Sequence, residues 1–274
     1  MGTLTDPASA SSSLDDKSAR GIAPGVIDAA MSSLATFVAA LVAANIFDQT
    51  DLGVYAVFYT AFNFGQVVAN NLIYIPAEVV AVAWPLEARL RVIRQSIPLA
   101  IAPSVLGAMA IGAAALITIQ IADAALVLPL TATAFATTFL WPTQDHIRRT
   151  LHIAERSWAA AGMSVAQFAT VAGSIGVMLA FDIPRVWIPY GSLAIANAVS
   201  LAFGLIMARG SFRRGPAPER IRSRNLTRSG LWLLVGVGTP TIAAFGAASI
   251  ITFAAGPEAL GFAEAARVAA HPIL

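Results

Sequence analysis

Apolar residues in this chain run in long blocks nearly free of charge, separated by short polar segments. A helix that crosses the ~30 Å hydrocarbon layer of a bilayer needs ~20 predominantly apolar residues. Blocks 26–46, 53–80, 158–181, 186–208 and 230–257 each satisfy that length. The first carries Asp28 at its edge and the second Glu78 near its far end, while the last three carry no charge. Pro76 is expected to kink or end the second helix, because its ring removes a backbone donor. Block 97–144 contains only Asp123 and is too long for one crossing, so it reads as a helical hairpin turning at 120–123. The pattern predicts seven spans, with an eighth helix starting at about Pro257.

Lys and Arg accumulate on the cytoplasmic side of short membrane loops. Here they fall on alternate segments: Lys17 and Arg20; Arg89, Arg91 and Arg94; Arg148, Arg149 and Arg156; then Arg209, Arg213, Arg214, Arg220, Arg222, Arg224 and Arg228. The intervening segments hold Asp48 and Asp51, then Asp123, then Asp182 with the lone Arg185, then Glu258. This alternation predicts a cytoplasmic amino terminus; the expected location is a bacterial-type inner membrane. It also explains the basic loops as topogenic charge, so no nucleic-acid partner is expected.

Composition points the same way. The chain is 57% hydrophobic and 12% charged with a mean hydropathy of +0.73, against about 25% charged for a soluble domain. With no cysteine, a disulfide framework, a thiolate metal site and a cysteine nucleophile are all excluded. Residues 1–25 are rich in Ser, Ala and Asp and are expected to be a disordered cytoplasmic tail. A secretory signal is the competing reading, but the segment lacks an apolar core of the right length. The expected organisation is therefore a tail at 1–25, a first six-helix bundle at 26–208, a basic cytoplasmic linker at 209–229 and the start of a second bundle at 230–274.

An internal repeat accompanies these spans. Leu52-Gly53 follows the first span and a short acidic turn, and Leu260-Gly261 follows the seventh span and another acidic turn. Six spans return the chain to its starting side, so the seventh begins in the same orientation as the first. A parallel six-plus-six repeat follows, of a kind that transporters carry.

Three motifs then bear a family resemblance: Asp51-Leu52-Gly53-Val54-Tyr55-Ala56 opening a long second helix, Gln144-Asp145-His146-Ile147-Arg148-Arg149 with Arg156 before the fifth span, and Leu260-Gly261-Phe262-Ala263-Glu264-Ala265-Ala266-Arg267. Together they resemble polysaccharide (O-antigen type) flippases of the multidrug/oligosaccharidyl-lipid/polysaccharide exporter superfamily. The likeness runs over residues 26–274. It implies an all-α polytopic membrane protein with two six-helix bundles around a central cavity, of which this chain supplies the first bundle, the seventh helix and the start of the eighth. A second chain or copy completing the missing half is an expected partner. The implied activity is alternating-access transfer of an isoprenoid-diphosphate-linked oligosaccharide across the bilayer, without catalysis and without a cofactor. Two alternatives stand beside it: a cation-coupled exporter of small amphipathic molecules, and an inactive fragment or scaffold.

Candidate substrate contacts lie on the second helix. Tyr59, Asn63, Gln66, Asn70 and Tyr74 follow at steps of three or four and so form one stripe. Polar side chains at membrane depth face a cavity or a neighbouring helix, and amides offer both donors and an acceptor to sugar hydroxyls. Helix-to-helix hydrogen bonding explains the same stripe. Given the resemblance, Arg267 is the expected diphosphate partner with Glu264 one turn before it, although a simple intrahelical pair fits equally. Asp145, His146, His152 and Glu155 cluster in what reads as a loop. The spacing of the histidines does not bring two imidazoles together on one helical turn, so these residues are expected to be interfacial polar groups and not metal ligands. His271 is isolated near the end of the sequence.

Overall fold

A computed structural model describes residues 7–209 and 223–270. Among the described residues every regular element is helical: α1 Pro7–Ile46, α2 Gln49–Ala69, α3 Ile75–Val82, α4 Leu86–Ser96, α5 Ile101–Thr118, α6 Ala124–Ile153, α7 Ser157–Ala180, α8 Ile188–Ala208, α9 Ser223–Ala255 and α10 Pro257–Ala270. Helix α1 takes in much of the segment expected to be a tail. Residues 1–6, positions 210–222 of the expected linker, and His271 lie outside the described residues.

Six helical stretches are long and apolar enough to cross a membrane: Ile22–Ile46, Gln49–Val82, Ala124–Ile153, Ser157–Ala180, Arg185–Ala208 and Arg224–Ala255. The shorter apolar helix Ser104–Thr118 is the first arm of the expected hairpin. Its second arm starts where Asp123 caps α6 by accepting the Ala125 N–H at 2.9 Å. Large apolar side chains such as Leu116, Val177, Phe181, Trp232 and Phe253 point outward, as lipid-facing surfaces require. These features make the chain an all-α protein of the multi-pass membrane type.

Helix α2 sits at the centre, packed by α5, α6, α9 and α10, while α1 packs on α7 and α8. Small residues allow these approaches, as is usual between helices in lipid. A Cβ on Gly65 would crowd Gly107 of α5 and Thr138 of α6.

The second membrane helix does not end at Pro76. Between α2 and α3 the backbone makes one π-helical turn, Asn70–Tyr74, in which the Ile75 N–H bonds the Asn70 carbonyl. Pro76 has no N–H to offer the Leu72 carbonyl one turn back. Gly230 of α9 packs against the Asn71 and Leu72 carbonyls there, and any Cβ at position 230 would overlap them. The helical path thus continues to Val82 with its face rotated.

Basic segments converge at one end of the bundle. Arg89 of α4 donates to the Ile153 carbonyl at the end of α6 at 3.0 Å, and Arg156 donates to the Met207 carbonyl near the end of α8 at 2.6 Å. At another junction the acidic starts of α2 and α10 meet, with the Thr50 hydroxyl 3.4 Å from Glu258 Oε1.

Candidate functional site

Asp48 starts α2 by accepting the Asp51 N–H at 2.8 Å. Gly256 starts α10 differently: its φ of 86° lies in the left-handed region, which ends α9, and Pro257 then opens the next helix. The two helices descend side by side, and ten residues from each start they bring Tyr59 against Arg267. The Arg267 guanidinium carbon lies 4.3 Å over the Tyr59 ring centroid, a cation–π stack. Glu264 holds the same guanidinium through two bonds of 2.8 and 2.7 Å. Its own carboxylate is buried, whereas the Arg267 side chain keeps 35% of its surface exposed. That geometry leaves further guanidinium N–H groups for an anion.

Thr36, Phe37 and Ala40 of α1 close this place into a recess of about 10 Å³ together with Tyr59, Arg267 and Val268, room for about one water. Beneath Tyr59 the aromatic side chains are contiguous. Tyr55 stacks at 27° and 6.3 Å, Phe62 lies at 6.4 Å, Tyr190 braces Tyr55 at 5.0 Å, and Trp141 meets Phe62 edge-on at 5.7 Å. The aromatic backing was not visible in sequence, because Trp141 and Tyr190 belong to α6 and α8.

The polar stripe divides. Tyr59, Asn63 and Gln66 of α2 and Asn70, the first residue of the π turn, are all partly exposed, whereas Tyr74 is fully buried. The amide oxygen of Asn70 is buried without a hydrogen-bond partner among the described residues, an acceptor available to a hydroxyl or a water. Tyr74, carried round by the π turn, instead lies flat on His146 of α6 with ring centroids 4.0 Å apart and 9° between planes. Its hydroxyl is 2.9 Å from that of Thr143.

His146 belongs to a second constellation that the sequence reading misplaced. Asp145, His146 and His152 are not in a loop, since α6 runs on to Ile153, and only Glu155 falls in the turn beyond it, with a φ of 60°. The helix survives its charges because they pair: Asp145 receives Arg148 and Arg149 at i+3 and i+4. Asp28 of α1 accepts from Ser164 of α7, from His152 Nε2 at 2.9 Å and from Arg148 at 3.0 Å. Glu78 of α3 lies 2.8 Å from His146 Nδ1 and 3.7 Å from Arg149 Nε, and Ser96 of α4 lies 2.9 Å from His146 Nε2. Five helices are therefore cross-tied near the basic end. The two histidines serve different carboxylates, and no group of three ligating side chains is placed to hold a metal among the described residues. The usable sequence signal was that Asp28 and Glu78, carboxylates at the edges of apolar blocks, need cationic partners at that depth.

No protein-family model, no curated protein and no solved structure matches this chain.

Proposed function

We propose that this protein is a flippase for a lipid-linked oligosaccharide, carrying the diphosphate and sugars across the bilayer by alternately opening and closing the seam between α2 and α10. One observation carries the reading: the pairing of Tyr59 with the Glu264-held Arg267. Ten residues along a helix is about 15 Å; with the acidic turns before α2 and α10 taken as the edge of a ~30 Å layer, the site would sit near its middle, where transporters bind their substrates. A guanidinium with spare donors suits a diphosphate, and the adjoining face of Asn63, Gln66 and Asn70 suits hydroxyls. Helices α9 and α10 are read as the opening helices of a second bundle, in the orientation of α1 and α2, with the amino terminus cytoplasmic. The resemblance of three motifs to polysaccharide flippases supports the same assignment.

A cation-coupled exporter of small amphipathic molecules is the second reading. It is favoured by the buried Asp28 and the partly buried Glu78, carboxylates that pair with cationic or titratable partners on other helices. Deleting the gene in its host distinguishes the two. Loss of surface polysaccharide with accumulation of its lipid-linked precursor in the inner leaflet is expected. Normal surface polysaccharide with new sensitivity to amphipathic cations would reject the flippase in favour of the exporter.

A further inference from the structure

We propose that the face of the Tyr59 ring turned towards Arg267 is the seat for the sugar joined directly to the diphosphate, and that Arg267 occupies that seat as an internal stand-in while the site is closed. This inference rests on the flippase reading and adds to it which part of the ligand each side chain takes. The π face of tyrosine attracts a cation, and it packs equally against the weakly positive C–H face of a pyranose ring. Both ligands compete for one surface, because a recess of about 10 Å³ cannot hold a sugar while the guanidinium is in place. The ring is held ready for a flat partner. Tyr55 stacks behind it and is braced by Tyr190, while Phe62 is braced by Trp141, so binding needs little ordering of the protein.

The displaced arginine stays at hand. Glu264, one turn back on the same helix, retains it through two hydrogen bonds. A sugar on Tyr59 brings its own diphosphate within a side chain's reach of Arg267, since the two groups are covalently adjacent. Exchange thus turns a closed cation–π contact into a sugar on an aromatic ring and an anion on a guanidinium. It also explains why Arg267 is paired with a tyrosine face as well as with Glu264.

The test uses the full 274-residue chain in lipid nanodiscs and two probes, a polyprenyl diphosphate carrying one N-acetylglucosamine and the bare polyprenyl diphosphate. Tyr59→Leu should weaken the saccharide-bearing lipid at least about tenfold relative to the bare lipid, because the bare lipid loses no contact and Arg267 is released from the ring, and thermal unfolding reports separately that the variant is folded. Tyr59→Trp should keep both affinities, and Arg267→Ala should weaken both. If Tyr59→Leu weakens the two lipids alike, or neither, the sugar seat is wrong while the flippase reading stands. If the unaltered chain binds neither lipid, with one copy or with two copies in each nanodisc, the flippase reading itself is wrong and the seat goes with it.

Discussion

Gly53 and Gly261 stand in the same relation to each other's helices: Gly53 of α2 is pressed by the Pro257 carbonyl at the start of α10, and Gly261 of α10 is pressed by the Gln49 carbonyl at the start of α2. Each glycine is the fifth residue of its helix. Thr50 and Glu258, which touch across the seam, are separated by 208 residues, and the same separation relates Gly53 to Gly261 and Tyr59 to Arg267. Contacts made between equivalent positions lie on a local two-fold axis. The recess beside Tyr59 is therefore on the axis that relates α2 to α10, the place that must part if two bundles rock.

Adding one methyl at either glycine forces those backbones apart. Gly53→Ala and Gly261→Ala should each destabilise the protein by ~1–3 kcal/mol, and by similar amounts because their surroundings match. Gly173→Ala on α7, where nothing lies within 4 Å, should be neutral or slightly stabilising. Thermal unfolding in detergent measures all three, and a harmless Gly53→Ala would contradict so close a seam.

The helices, the α5–α6 hairpin and the Leu-Gly repeat were legible in sequence because each is local or periodic. The Asp28 cluster was not. Its members are joined over separations of 120 residues to Arg148, 124 to His152 and 136 to Ser164, and no periodicity reports such distances. Charges at 145–149 looked like a loop since each was counted alone, whereas on a helix they neutralise one another. Tyr74 was placed on the α2 stripe by counting 3.6 residues per turn, and the π turn at Asn70–Tyr74 breaks that count. Pro76, two residues on, was the only local hint of it.

Removal of one partner from a buried ion pair strands the other charge. Asp28→Ala leaves Arg148 with Asp145 alone and frees Ser164 and His152, so a loss of ~3–5 kcal/mol is expected. Asp123→Ala removes only an exposed helix cap and should cost ~1 kcal/mol. Comparing the two by membrane abundance and unfolding temperature separates a cross-tie from a surface polar group, and equal effects would deny the cross-tie.

Orientation can be read directly, because a chain without cysteine accepts single cysteines as unique labels. Asp182 after α7 and Arg224 at the start of α9 are both exposed and belong to segments of opposite charge character. In intact cells a membrane-impermeant thiol reagent should label a cysteine at position 182 and spare one at position 224. The reverse pattern would overturn the cytoplasmic placement of the amino terminus.

The partly exposed stripe on α2 separates transport from packing. Among the described residues neither Asn63 nor Gln66 bonds to another side chain, and the Asn70 amide oxygen has no partner. If these amides served only to join helices, their burial would come with interhelical hydrogen bonds of ~1 kcal/mol each. Changing the partly exposed Asn63 and Gln66 singly to Ala should therefore alter stability by no more than about ±0.5 kcal/mol, and Asn70→Ala, which removes a buried acceptor without a partner, should not lower protein abundance either. The same changes should lower delivery of polysaccharide to the cell surface, with Leu more damaging than Ala because it also fills the path. Tyr74→Phe supplies the contrast. It loses the hydroxyl contact to Thr143 while keeping the stack on His146, at a position turned away from the stripe, so a small drop in stability without a change in export is expected. Should abundance fall in step with export in the three amide variants, or should export survive in all of them, the stripe is helix packing and the substrate path lies elsewhere.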